Sequence, residues 1–364
     1  MPRPMNVSDF DYELPPERIA QRPLGERDAS RLLLLDRARG AYEDRQFREL
    51  PDILRGDELM VVNNARVVPA RLFGHRSGIH AQPLGAHNPA RHEFLHTQIE
   101  VLLVRQLSPD TWETLVRPGR KIPIGERIVF GNGELEAHVE GRGEFGLRVL
   151  RFQSTDGFHE VLGRLGHIPL PPYIKRDDEP IDRERYQTIF ARQGTAVAAP
   201  TAGLHFTPQI LEQLRLRGIE IAELTLEVGL GTFEPVRTEK LEEHKIHAEA
   251  YEIPECTIAA LKKARTENRP VLAVGTTVVR ALEDSAEKNG GFPAAGQVEA
   301  NIFLFPGKVF RVVNQMLTNF HLPKSTLLAM VAAFAGRNNV LRAYRHAVES
   351  AYRFYSYGDA MLIR

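Results

Sequence analysis

Cysteine is almost missing from this chain: Cys256 is the only one in 364 residues. That excludes an internal disulfide and makes a reducing, intracellular setting the expectation. A packed or half-exposed thiol, just ahead of a helical pattern, is favoured for Cys256 over a nucleophile. Long apolar runs are also lacking. The longest, Leu327 to Ala335, is too short to cross a bilayer, and the opening MPRPMNVSDFDYELP has no apolar core of the kind a secretory signal uses. A cytoplasmic protein with no membrane attachment is expected. Nor is there an excess of either charge, since 47 Lys and Arg face 47 Asp and Glu. A polyanionic partner would therefore have to be held by a local patch. No repeat or low-complexity tract points to a solenoid or a disordered tail. What remains is an ordinary globular composition, 43% hydrophobic and 26% charged, at a length that suggests about two domains.

Along the chain, ELMVVNNARVVPARLFG reads as β-rich runs around Asn63 and Asn64. Short alternating strands follow, among them IEVLLV, TWETLVRP, ERIVFGNGELEAHVE and EFGLRVLRF, separated by Gly, Asn and Pro turns. That spacing predicts a small antiparallel barrel. Within it, the histidine-rich segment 75–97 has no hydrophobic period and reads as a loop whose histidines follow no metal-ligand spacing. After Ser154 the pattern becomes strand, helix, strand. GTAVAAP is a buried strand, Thr207 and Pro208 start the helix PQILEQLRLR, Gly218 closes it, and IEIAELTLEV is the next strand. The unit recurs as IAALKKARTEN, the strand VLAVG, a helix capped by Thr276 or Thr277, and the strand NIFLF. The expected fold is a mixed α/β (α+β) main domain, a barrel-like sheet with helices formed by residues 1–68 and 154–364, with an inserted small antiparallel β-barrel domain at 69–153.

In an α/β body, ligands bind at the carboxyl ends of strands. Three loops there combine glycines with hydroxyls: Pro200 to Phe206, Gly229 to Phe233, and Gly275 to Thr277. Such loops suit a carboxylate or a sugar hydroxyl; each alone reads more readily as a tight turn, and the three together favour a binding role. A fourth candidate, Asn319 to Thr326, precedes an apolar helix that Ser325 or Thr326 would cap, with His321 and Lys324 carrying any functional role. The run from Tyr352 to Asp359 packs aromatics and hydroxyls that suit either base stacking or a core. His244, His247 and Glu249 have the spacing of helix-borne ligands but no convincing third partner, and no metal is expected.

Taken in order, APTAGLHFT, VGLGTFEPV, HKIHAE, AVGTTVVRALE, IFLFPG, LTNFHLPKSTLLAMVAAFAG and YRFYSYGDAMLI closely resemble successive motifs of the S-adenosylmethionine:tRNA ribosyltransferase-isomerases. The likeness extends to DFDYELPPERIAQRPLGERDASRLL, NNARVVPARLFG and GHIPLPPYI, so it covers nearly the whole chain. Glu227 stands where that family commonly has histidine, and Lys308 where an aromatic residue is usual. The Gly-Gly-Lys that the family carries before the IEVLL strand is not evident.

The resemblance implies queuosine biosynthesis. The ribosyl part of S-adenosylmethionine passes to the 7-aminomethyl-7-deazaguanine wobble base of a tRNA with a GUN anticodon, giving epoxyqueuosine, adenine and methionine. S-adenosylmethionine is a consumed cosubstrate, so no separate cofactor is expected, and nothing demands more than a monomer. His205 or His321 is the expected base, with Glu227 and Asp359 as carboxylates that orient a group or balance the sulfonium. Thr201, Gly203, Gly229, Gly231, Thr232, Thr276, Thr277, Arg280, Asn319, Lys324, Ser325 and Tyr357 are expected to bind substrate. Arg117, Arg120, Lys121 and Arg353 are the expected tRNA contacts. The rival readings are an S-adenosylmethionine-dependent tRNA methyltransferase and a non-catalytic RNA-binding protein.

Overall fold

The computed structural model describes residues 5–364 apart from 77–96, 120–121, 144–145, 230–237, 245 and 247. Its strands are β1 Arg31–Leu35, β2 Tyr42–Gln46, β3 Leu59–Asn63, β4 Ala65–Val67, β5 Arg71–Arg76, β6 Ile99–Ser108, β7 Thr111–Arg117, β8 Arg127–Phe130 and β9 Leu135–Arg142. They continue with β10 Arg148–Ser154, β11 Gln193–Ala196, β12 Glu220–Leu226, β13 Glu249–Ile253, β14 Val271–Val274, β15 Gly296–Ala300, β16 Gln315–Asn319 and β17 Ala360–Ile363. The chain divides into two compact units, Met1–Arg66 with Pro171–Asp177 and Glu184–Arg364, and Val67–Leu170 with Asp178–Arg183.

The first unit is built on a nine-stranded sheet in the order β15-β13-β12-β3-β14-β16-β17-β1-β2. Its centre is parallel, β12 with β3, β3 with β14 and β14 with β16. The sequences LMVVN and VLAV are buried at every residue, the continuous apolar pattern of strands covered on both faces. Side chains alternate between the two cores: Leu59, Val61, Ala273 and Met316 join one, and Met60, Val62, Leu272, Val274 and Leu317 the other. The helix Pro208–Leu216 covers the second core through Ile210, Leu211 and Leu214. The helices Thr276–Lys288, Thr326–Ala335 and Arg337–Glu349 contribute to the first. Truncating a fully buried leucine here, such as Leu272, would cost about 2–5 kcal/mol. Because the central strands run parallel, the loops after β12, β14 and β16 emerge on one side of the sheet.

Two local expectations change. The helix after β14 is not capped by a threonine. Its N-cap is Gly275 at φ 97°, a conformation that favours glycine, and Thr276 and Thr277 lie inside the first turn. The strand expected at NIFLF is also absent. The sheet instead takes Gly296–Ala300, antiparallel to β13, and the backbone N–H groups of Asn301 and Ile302 donate to the Asp284 carboxylate rather than to a neighbouring strand. Thr207 and Ser325 do cap their helices, accepting from the N–H groups of Ile210 and Leu328.

The second unit holds a closed antiparallel barrel in the order β10-β7-β6-β5-β8-β9. Alternation fills its interior with Val101, Leu103, Trp112, Ile128, Phe130, Leu150 and Phe152. Arg76 and Glu126 form an almost fully buried ion pair, with Nε of Arg76 2.7 Å from Oε2.

Candidate functional site

In the first unit, the strand-end loops enclose a cleft of about 690 Å³, counting its open mouth. Pro200, Thr201 and Ala202 follow β11, and Val228 follows β12. Gly275, Thr276 and Thr277 follow β14, while Thr318 to Leu322 and Ser325 lie at and after the end of β16. Tyr173, Tyr355 and Ser356 complete the wall. Gly275 is required by its backbone rather than by space: at φ 97° it holds a conformation that side chains rarely adopt, whereas a Cβ there would make only ordinary contacts, 3.5 Å from Oγ1 of Thr277 and 3.7 Å from Cβ of Ala202.

Three buried polar atoms on residues of this wall have no hydrogen-bond partner among the described residues: Oδ1 of Asn319, Oγ1 of Thr277 and the hydroxyl of Tyr355. Orphaned buried polar groups are costly, and a cluster of them in a cleft is the signature of atoms reserved for a ligand. Tyr355 carries backbone strain as well, at φ 73°. That geometry is over-determined. Its N–H donates to the carbonyl of Phe320, and its own carbonyl accepts from Gly358 and from the Asn319 amide. Its ring lies 4.3 Å from that of Tyr173, whose hydroxyl is 2.6 Å from Oγ of Ser356.

The two histidines differ in their surroundings. His321 lines the cleft, with Nε2 2.8 Å from Oγ1 of Thr318. His205 does not line it. Its Nδ1 is 2.7 Å from Oγ of Ser30, its Nε2 is 3.2 Å from the Asn319 amide nitrogen, and its ring stacks on Phe47. An amide donor on Nε2 fixes the tautomer with the proton on Nδ1, donated to Ser30. Burial lowers both imidazoles to about 3, with Arg27 and Arg353 adding to the effect at His205. Both are neutral at physiological pH.

Other expected residues fall elsewhere. Glu227 borders a separate shallow cleft with Gln193, Gly194 and Thr225. Asp359 gives one oxygen to the backbone N–H of Arg31 and the other to that of Arg353, each at 2.8 Å. Burial raises its carboxyl, and those two donors oppose the rise. Lys324 points to Asp11 at the surface, 2.8 Å away. Arg280 is buried in an ion pair with Glu249, whose other oxygen accepts from the N–H of Gly229. Gly203 packs against Thr188, where a Cβ would come within 2.9 Å. Tyr357 lines a second hollow together with His205, and Arg353 donates to the carbonyl of Arg22. Arg117 is exposed at the end of β7. Gly231, Thr232, Arg120, Lys121 and most of the histidine-rich segment (77–96) lie outside the described residues.

Tyr173, Tyr355, Thr318 and Ser356 were not singled out from the sequence. The aromatic run 352–359 carried the signal for Tyr355 and Ser356, but only the left-handed backbone shows which tyrosine turns inward. Cys256 lies exposed within the helix Glu255–Thr266. Among the described residues no cluster of three or more His, Cys, Asp or Glu could hold a metal ion. No described helix is long and apolar enough to cross a membrane.

Comparison with known proteins gives the same direction as the motifs. A family model described as queuosine biosynthesis protein matches residues 7–363. An S-adenosylmethionine:tRNA ribosyltransferase-isomerase of Solibacter usitatus is 54% identical, and one of Moorella thermoacetica 50%, each over 99% of this chain and 100% of the relative. The crystal structure of an S-adenosylmethionine tRNA ribosyltransferase from Thermotoga maritima is similar with a TM-score of 0.53 and 36% identity, covering 98% of this chain and 100% of that one. A match from end to end, with residues of the motifs after β11, β14 and β16 lining one cleft, means that the chain belongs to the queuosine biosynthesis protein family.

Proposed function

We propose that this chain transfers the ribosyl part of S-adenosylmethionine to a tRNA base and isomerises it, releasing adenine and methionine. The acceptor is 7-aminomethyl-7-deazaguanine at the wobble position of a tRNA with a GUN anticodon, and the product is epoxyqueuosine. S-adenosylmethionine is spent as a sugar donor. The barrel strands within 69–153 are, in this reading, an inserted domain.

The observation that carries the reading is the strand-end cleft with its three orphaned polar atoms, on Asn319, Thr277 and Tyr355. It offers an acceptor and two hydroxyls against apolar walls of Ala199, Val228, Phe320 and Leu327. That combination suits a nucleoside, which needs flat apolar contact and a few directed hydrogen bonds. The sulfonium of the cosubstrate acidifies its C5′ protons. His321, neutral and on the cleft wall, is the base that takes one. Loss of adenine opens the sugar, the aminomethyl nitrogen of the acceptor base joins it, and ring closure expels methionine. The Thr277 and Tyr355 hydroxyls donate to the departing purine, and Oδ1 of Asn319 accepts from an amino group. His205 acts through Asn319, whose amide it holds.

Incubation with S-adenosylmethionine and tRNA carrying the deazaguanine precursor tests this directly. Nucleoside mass analysis should find epoxyqueuosine, with adenine and methionine released together. S-adenosylhomocysteine would mean methyl transfer instead, and tight tRNA binding without consumption of the cosubstrate would mean a binding protein.

A further inference from the structure

Beside the reaction cleft, and sharing Ser356 with it, lies a hollow of about 290 Å³ counting its mouth. We infer that this hollow, bounded by Arg27, Arg185, Ser30, His205, Ser356 and Tyr357, is a phosphodiester site that holds a backbone phosphate of the RNA substrate next to the reacting base. The inference rests on the tRNA-modifying reading above and adds to it a place where the RNA backbone is gripped.

The charge balance of the hollow is the main argument. Arg27 donates from Nη1 to the carbonyl of Leu204 at 3.2 Å and from Nη2 to that of Glu184 at 2.8 Å. Arg185 donates from Nη1 to the carbonyl of Gly25 at 2.8 Å. These carbonyls fix both guanidinium groups without neutralising them. One carboxylate, that of the exposed Glu26, also borders the hollow, but among the described residues neither arginine has a carboxylate within ion-pairing distance, and the two guanidinium groups leave a net positive charge there. Among the described residues the buried Nε of Arg185 has no hydrogen-bond partner, nor does Nη1 of Arg353 nearby. Burial and then the like charge of Arg185 lower the Arg27 guanidinium, and Glu184 only partly offsets this. Two half-buried cations are thus held side by side at a folding cost, an arrangement that an oxyanion would relieve.

Two oxyanions occur in the reaction, an RNA phosphate and the carboxylate of the amino acid. S-adenosylmethionine carries an ammonium and a sulfonium against one carboxylate and is net cationic, so a pair of arginines repels it overall. A polyanion gains from both charges. The position fits as well: His205 lines the hollow and holds Asn319 of the reaction cleft, so a phosphate seated here adjoins the cleft wall. An enzyme that works on a base must take it out of its stack, and gripping the flanking backbone is how such a base is kept out.

The test measures binding of the precursor tRNA by the full chain across about 50 to 250 mM salt, for wild type, Arg185→Gln, Arg185→Lys and Arg27→Gln. Arg27 also ties Leu204 and Glu184, so Arg185, which ties only Gly25, is the cleaner probe. Expected for Arg185→Gln is an affinity about tenfold lower at low salt and a salt slope shallower by about 0.7–0.9, with S-adenosylmethionine affinity unchanged. Arg185→Lys should restore the slope. An unchanged slope in Arg185→Gln would overturn the site, and so would loss of S-adenosylmethionine affinity with tRNA binding intact, which would mean a carboxylate pocket. Wild-type protein that binds tRNA without consuming S-adenosylmethionine would sink the reaction and leave the phosphate site to be judged by the slope alone.

Discussion

The side-chain amide of Asn319 donates to Nε2 of His205 and to the carbonyl of Tyr355, at 3.2 and 3.0 Å, so both of its N–H groups are spent inside the protein and only its oxygen is left for a ligand. An asparagine so tied cannot flip to offer a donor, and His205 is what ties it. The two residues should act as a unit. Asn319→Ala is expected to lower kcat/KM for S-adenosylmethionine by about 10–100-fold, the usual effect of deleting a buried hydrogen-bonding group. His205→Ala is expected to lower it by a similar factor. In a double-mutant cycle the losses should fall short of additive by about 0.5–3 kcal/mol. Strict additivity would mean that His205 does not work through Asn319.

Thr277 and Tyr355 should show a different signature, because their hydroxyls are unpartnered in the folded protein. Removing an unsatisfied buried hydroxyl while keeping the shape of the side chain is neutral or stabilising. Thr277→Val and Tyr355→Phe are therefore expected to keep or slightly raise the urea midpoint while kcat/KM falls about tenfold. A loss of stability in both would show that these hydroxyls serve the fold.

For His321 the expected result concerns the chemical step. His321→Asn should lower kcat by about 10²–10⁴-fold, the range for loss of a general base. Binding of S-adenosylmethionine should change little, since among the described residues the imidazole's one hydrogen-bond partner is Thr318. Exchange of the C5′ protons with solvent deuterium, if catalysed by wild type, should disappear in the variant. Wild-type turnover by His321→Asn would remove the residue from the mechanism.

The sequence made the loop positions legible, because parallel buried strands such as LMVVN and VLAV are continuous apolar runs and the loops after them carry glycine and hydroxyl residues. It could not show how individual side chains divide between cleft and scaffold. Lys324 looks like a cation at a helix start, yet its left-handed backbone turns it to Asp11. Thr277 looks like a helix cap, yet Gly275 takes that position and frees the hydroxyl. NIFLF has the composition of a strand, but the Asp284 carboxylate takes its first N–H groups. For Lys324 and NIFLF a contact with a residue distant in the chain overrides the local preference, and for Thr277 the backbone conformation of Gly275 does.

Acid should weaken the fold through the two buried histidines. Their pKa is about 3 in the folded state against about 6.5 for free imidazole, so between these values the unfolded chain binds more protons. A depressed histidine contributes fully above pH 6.5, and its contribution falls as the pH drops towards 3. At pH 5 the loss is about 2 kcal/mol for each histidine. Urea titrations of wild type at pH 7.5 and 5 should show this fall. His321→Asn and His205→Asn should each flatten it, whatever their stability at pH 7.5. A pH dependence unaltered in both variants would contradict the assignment.

Asp359 provides the sharpest separation of scaffold from chemistry. Its position in the motif YRFYSYGDAMLI suggests a catalytic carboxylate, but both oxygens are engaged by backbone N–H groups, one from Arg31 at the start of β1 and one from Arg353 ahead of β17. Between Arg353 and Asp359 the chain makes the turn that holds Tyr355 at its strained φ, with Gly358 so close to the carbonyl of Arg353 that a Cβ would approach it to 2.5 Å. Asp359→Asn would turn one acceptor into a donor facing an N–H, and a loss of about 2–3 kcal/mol is expected. Because the strained turn carries Tyr355 and Ser356 into the cleft, KM for S-adenosylmethionine should rise as the turn loosens, and kcat at saturating cosubstrate should fall far less than in His321→Asn. A carboxylate that moved a proton would give the opposite pattern, a collapse of kcat with stability nearly intact, and that outcome would return Asp359 to the reaction.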